Sequence, residues 1–148
     1  MNEPVELAKN LASSLSEHRL QNLENELAHI VRKLPAEHKL EVIYQLMPKN
    51  VRAAAAIAAR GQLPVSQQVL LLQNLLESSG TNAIKVMVYS VFAHRMRAEL
   101  FLRILKEKQI EFPKGVYFAA YYYLHSENLR PKIRDELHTL FEATRPLV

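Results

Sequence analysis

The chain has 148 residues, 49% of them hydrophobic and 23% charged, with a formal net charge of +4; this length suits one ordinary domain with a core of its own. The absence of cysteine excludes a disulfide scaffold, a thiolate zinc site and a cysteine nucleophile, and three glycines are too few for phosphate-cradling loops. Leu (23) and Ala (16) outnumber Val, Ile and Thr together (21), and fourteen of the fifteen acidic residues are Glu, so the composition predicts an all-α fold.

The first ten residues, MNEPVELAKN, contain neither a basic run nor an apolar run, so no signal peptide is expected. No window approaches the roughly 20 apolar residues of a membrane span. The expected location is the cytoplasm. The first predicted helix covers residues 4–15, with Leu7, Leu11 and Leu15 at spacing four. The second covers 17–33, with Leu20, Leu23, Leu27, Ile30 and Leu34 on one stripe. These two read equally as one continuous helix.

Four later positions share a start signal, an apolar residue followed by proline: Leu34-Pro35, Met47-Pro48, Leu63-Pro64 and Phe112-Pro113. Proline fits the first helical position and drives its predecessor out of helical geometry. The spacing predicts helices over 35–46, 48–60 and 65–78, joined by very short loops and therefore mostly antiparallel. Leu40, Ile43 and Leu46 or Met47 should be buried in the first of these. The second holds six alanines between Ala53 and Ala59, which suit close packing of two helix axes, and Gly61 is placed to end it. Val69, Leu70, Leu72, Leu75 and Leu76 should face the core from the third.

Thr81 or Asn82 is then expected to cap a long segment reaching about 109. From Ile84 to Phe92 apolar residues point in nearly every direction, which demands apolar neighbours on almost every side. Those neighbours are either the rest of the domain or a second copy of the chain. After His94 a polar stripe appears at Arg95, Glu99, Arg103 and Lys106, so the helix either emerges from the core or breaks there. Two further helices are predicted over 114–125 and 131–143. With no low-complexity linker, residues 1–148 read as a single all-α domain of seven to nine helices, either an irregular bundle or a short stack of helical hairpins.

Two clusters stand out as candidate sites. Residues 80–115 hold seven basic side chains and only three acidic ones. Arg95, Arg97, Arg103, Lys106 and Lys108, with Arg130, Lys132 and Arg134 downstream, form a candidate polyanion-binding set. The second cluster is Tyr121, Tyr122 and Tyr123, with Tyr117 and Phe118 one turn earlier and His125 one turn later. Consecutive helical positions are 100° apart, so the three rings cannot share a buried face. Tyr117, Tyr121, Tyr122, Tyr123 and His125 therefore form a candidate protein-interaction surface, and exposed rings beside basic residues also suit base stacking.

Catalytic patterns are weak. Glu26-x-x-His29 and Asp135-x-x-His138 have the spacing of di-iron bundle ligands, but no supporting glutamates are placed to complete such a site. No nucleophile elbow or Ser/His/Asp arrangement is legible. A helix-turn-helix over 70–95 fails because its second helix would present apolar side chains to base edges. The stretch LPAEHKLEVIYQLMPKNVRAAAAIA (34–58) resembles, in its rhythm of Leu-Pro, amphipathic turn and small residues, the short helical hairpins of bacterial flagellar motor switch proteins and of magnesium-transporter cytoplasmic domains. That likeness covers about a sixth of the chain and carries no functional residue. The expected function is a non-catalytic helical interaction module, an adaptor or assembly subunit, acting through a protein partner or self-association. The alternatives are a nucleic-acid-binding protein using the basic residues of 94–114 and 130–134 and, more remotely, a small helical enzyme or metal–carboxylate protein. No cofactor, metal or small-molecule substrate is implied.

Overall fold

The computed structural model describes residues 3–17, 21–78, 80–126 and 129–147, and all regular structure among them is helical. The all-α expectation is met, with nine helices among the described residues when 81–95 is taken as one. Contacts divide the chain into two compact units, 1–67 and 68–148. The boundary falls inside an uninterrupted helix, so the sequence has no linker there to betray it.

The first unit contains α1 (Glu3–Glu17), α2 (Gln21–Arg32), α3 (Ala36–Leu46), α4 (Val51–Arg60) and the start of α5 (Val65–Ser78). The join between α1 and α2, with Leu20 in it, lies outside the described residues, as does the side chain of Leu15. The leucine stripe expected for α1 is corrected. Leu7 is 47% exposed, while Val5, Ala8 and Ala12 are buried. The small side chains at 8 and 12 set the packed face, and α1 lies against α2 and α3. In α2 the expected stripe holds: Leu27 and Leu34 are buried, and Leu23 and Ile30 half-buried.

Proline marks the helix starts less uniformly than the sequence suggests. Pro35 stands just before α3 and Pro64 just before α5, while Pro48 sits in a turn and leaves the start of α4 to Asn50. The Asn50 side chain accepts a hydrogen bond from the Ala53 N–H at 3.1 Å, satisfying one of the unpaired donors of the first turn. Ala53, Ala54, Ala55 and Ala58 are all buried, as close packing requires. Gly61 is not the left-handed residue at the end of α4. Its φ is −81°, and the positive φ (56°) falls on Gln62. Glycine is needed at 61 for space, since a Cβ there would lie 2.7 Å from both the Ile57 carbonyl oxygen and Val31 Cγ1. The carbonyls of this turn are held by Lys39, whose buried Nζ donates to the oxygens of Gly61 and Gln62 at 3.0 Å each. Burial also lowers the pKa of that ammonium below its ordinary value.

The second unit holds the rest of α5, then α6 (81–95), α7 (Ala98–Lys108), α8 (Pro113–Leu124) and α9 (Pro131–Thr144). Gly80, not Thr81 or Asn82, precedes the first turn of α6. The helix starts as an α-helix over Thr81–Met87, widens to a π-helix over Val88–Phe92 and closes over Ala93–Arg95. It then breaks, because Met96 and Arg97 are extended (ψ 141° and 137°). This decides between the two readings of the long segment. Ile84, Met87, Val88, Val91 and Phe92 are buried within the single chain, and Val86 and Tyr89 are half-buried. In α5, Leu72, Leu75 and Leu76 are buried as expected and Val69 is half-buried, but Leu70 is exposed and Leu71 takes its place in the core.

An aromatic surface and a charged groove as candidate functional sites

The geometry of the second unit starts from α8. Pro113 opens this helix, and Gly115, two residues on, lets it pass against the backbone of Leu76 in α5. Val116, Ala119, Ala120 and Tyr123 form its buried side. Tyr123 thereby leaves the candidate interaction set. It is only 4% exposed, and its ring stacks on that of Phe101 with centroids 4.3 Å apart. Burial is the main cause of its raised phenol pKa.

The other side of α8 carries a continuous set of half-exposed rings. Tyr117 stacks on Phe141 of α9 at 4.7 Å, and Phe118 stacks on Tyr122 at 6.4 Å. Tyr122 meets Tyr89 of α6 edge-on at 5.9 Å, and Tyr121 meets Tyr122 edge-on at 5.3 Å. His125 closes the row, 4.4 Å from the Tyr121 ring, with its Nδ1–H donating to the Tyr121 carbonyl oxygen at 2.8 Å. Tyr121, at 39%, is the most exposed ring. Among the described residues the hydroxyls of Tyr89, Tyr117, Tyr121 and Tyr122 make no hydrogen bond to the protein, and none is a buried unpaired group. Desolvation raises the Tyr89 phenol pKa, and the neighbouring Tyr121 and Tyr122 add to the shift. Lys114 lies on the same face of α8, one turn before Tyr117 and Phe118.

Sequence reasoning found the α8 half of this surface and missed Tyr89, His138 and Phe141. The signal for His138 and Phe141 was their i, i+3 spacing on α9, which places both on one face. The signal for Tyr89 was hidden by its apolar neighbours. The π-helical turn shifts the helical phase at that point, with the Ala93 N–H reaching back to the Val88 carbonyl.

The basic candidates do not form one face. Lys108 pairs with Glu77 at 3.5 Å and lies over the Phe112 ring. Arg95 and Arg97 flank the break after α6, and Arg134 is exposed on α9. The remaining four converge. Arg103, Lys106, Arg130 and Lys132 line an open groove of roughly 370 Å³ between α7 and α9, together with Glu99, Glu136, Leu102 and Ile133. Arg130 pairs with Glu99 at 2.6 Å and Lys106 with Glu136 at 3.2 Å. The Arg130 hydrogen bond is the main cause that lowers the Glu99 carboxyl pKa. Arg103 and Lys132 form no ion pair among the described residues.

Among the described residues no group of three His, Asp or Glu is placed to hold a metal ion. No described helix is long and apolar enough to cross a membrane. No protein-family model, no curated protein and no solved structure matches the chain.

Proposed function

We propose that the protein is a non-catalytic helical interaction module that docks a partner protein through the aromatic surface of its second unit. The observation that carries this reading is the unbroken row of ring contacts from Tyr89 through Tyr122, Tyr121 and Phe141 to Tyr117, half-exposed and with hydroxyls that make no hydrogen bond within the described residues. Such rings offer large, rigid contact area together with a polar edge, which suits protein interfaces. The complementary surface supplies apolar side chains against the rings and acceptors for the hydroxyls.

The nucleic-acid alternative draws less support. The ring faces that would stack on bases are largely occupied by other rings, and carboxylates interrupt the basic residues at Glu77, Glu99 and Glu136. Phosphate-backbone binding needs cations that are free of such partners.

The test is a comparison of two forms of the full chain as bait, the natural one and one carrying Tyr121→Ala with His125→Ala. Both side chains are exposed, so the variant keeps its fold. A partner held stoichiometrically by the natural chain and lost by the variant supports the reading. A partner held equally by both contradicts it.

A further inference from the structure

The groove between α7 and α9 is a separate feature, because Lys132 and Glu136 lie on the opposite side of α9 from His138 and Phe141. It gathers four cations and two carboxylates from segments about thirty residues apart. Two of the cations are fixed: Glu99 holds Arg130, and Glu136 holds Lys106. The other two, Arg103 and Lys132, border the same space without a carboxylate partner among the described residues. The groove therefore carries two uncompensated positive charges. From this geometry we infer that the groove is a binding site for a compact dianion, a phosphate monoester or free phosphate, held between Arg103 and Lys132.

The choice of ligand follows from the charge arrangement. A planar guanidinium offers paired donors suited to phosphate oxygens, and an ammonium adds a point charge. The two ion pairs limit the attraction to one site. An extended polyanion would pass Glu99 and Glu136 and gain little from the cations they already hold. A single dianion needs only the two free cations. The buried side chains of Leu102 and Ile133 give the groove an apolar base, so a small apolar ester group is accommodated beside the phosphate.

The test is a titration of the full chain with inorganic phosphate at low ionic strength, followed by backbone amide NMR. A second titration uses a single-stranded oligonucleotide. The expected result is saturable shifts confined to residues 99–106 and 130–136. Arg103→Gln with Lys132→Gln should weaken the binding by about tenfold or more. Lys49→Gln with Lys85→Gln removes the same charge elsewhere and should leave the affinity unchanged. All four side chains are exposed, and each pair of variants is checked for folding by its amide spectrum. The inference is overturned by an absence of saturable shifts, by full affinity in the Arg103/Lys132 variant, or by equal loss in the control. It is also overturned if the oligonucleotide binds through Arg103 and Lys132 while inorganic phosphate does not. None of these outcomes involves Tyr121, so they leave the aromatic docking surface to its own experiment.

Discussion

The rings of Tyr117 and Phe141 lie nearly parallel, 19° apart in plane, with centroids separated by 4.7 Å. This stack ties α8 to α9 at the surface of the second unit, and it spends a face of each ring within the chain. What stays exposed is the edges and hydroxyls, together with most of Tyr121. The stack should be measurable as a coupling. In urea unfolding, Tyr117→Ala and Phe141→Ala together should cost about 1 kcal/mol less than the sum of the single changes. Strict additivity would show that the two rings do not stabilise one another.

Gly115→Ala tests the crossing of α5 and α8. In an ordinary helix this change stabilises by about 1 kcal/mol. Here the new Cβ would fall on the Leu76 carbonyl oxygen and 2.8 Å from the Leu76 Cα, both backbone atoms that cannot turn aside. The expected sign is therefore reversed, with a loss of about 1–3 kcal/mol from overpacking. A midpoint that rises in urea would contradict the close approach.

The first unit holds a buried carboxylate. Glu24 is 2% exposed and pairs with Arg60 at 3.3 Å, while Arg60 also bonds Asn25, and its carbonyl oxygen accepts from Arg32 Nε at 2.8 Å. Replacing Arg60 by Met removes the cation and leaves the carboxylate in place. The expected cost is about 3 kcal/mol in urea unfolding. The double change Glu24→Gln with Arg60→Met should recover part of it, and no recovery would mean that the charge of Glu24 is not what the pair stabilises.

Alkaline titration reads the aromatic surface directly. Tyr89 and Tyr123 have phenol pKa values raised by burial, above the ordinary value near 10. A raised folded pKa contributes stability that is complete below the unfolded value and is lost as pH rises through the folded one. Stability should therefore fall above about pH 10. Tyr89→Phe should reduce that fall, and it should remove a late-ionising component from the phenolate absorbance. A phenolate titration left unchanged by Tyr89→Phe at its alkaline end would contradict the packing of Tyr89.

At the acid end, Glu99 reports on the groove. The hydrogen bond from Arg130 lowers the Glu99 carboxyl pKa, so its contribution is present above the ordinary carboxylate value and is lost as pH falls through the lowered one. Carboxyl NMR should show the Glu99 titration move up toward normal in Arg130→Ala. An unchanged value would place Arg130 away from Glu99.

Most of the helical framework was legible in the sequence, because leucine periodicity, Gly80, Pro113 and Pro131 each have a local physical cause. Packing between elements was not. The face of α1 turned on which small residues meet a neighbour, so Leu7 points outward while Ala8 and Ala12 are buried. Lys39 is buried because a distant turn presents two carbonyls to it, a partnership that no local pattern encodes. At the candidate sites, the tyrosine run was visible, but the division between buried Tyr123 and exposed Tyr121 needed the positions of Phe101 and Phe141. Likewise the charge excess of 80–115 was visible, and the pairing of Lys106 with Glu136 and of Lys108 with Glu77 was not.

The most direct measurement is site-specific photocrosslinking in the cell of origin, with a benzophenone side chain at Tyr121 and, separately, at Glu107 as an exposed control on α7. The docking account predicts a discrete adduct with one partner protein from position 121 and none from position 107. No adduct at 121, or the same adducts from both positions, would contradict it.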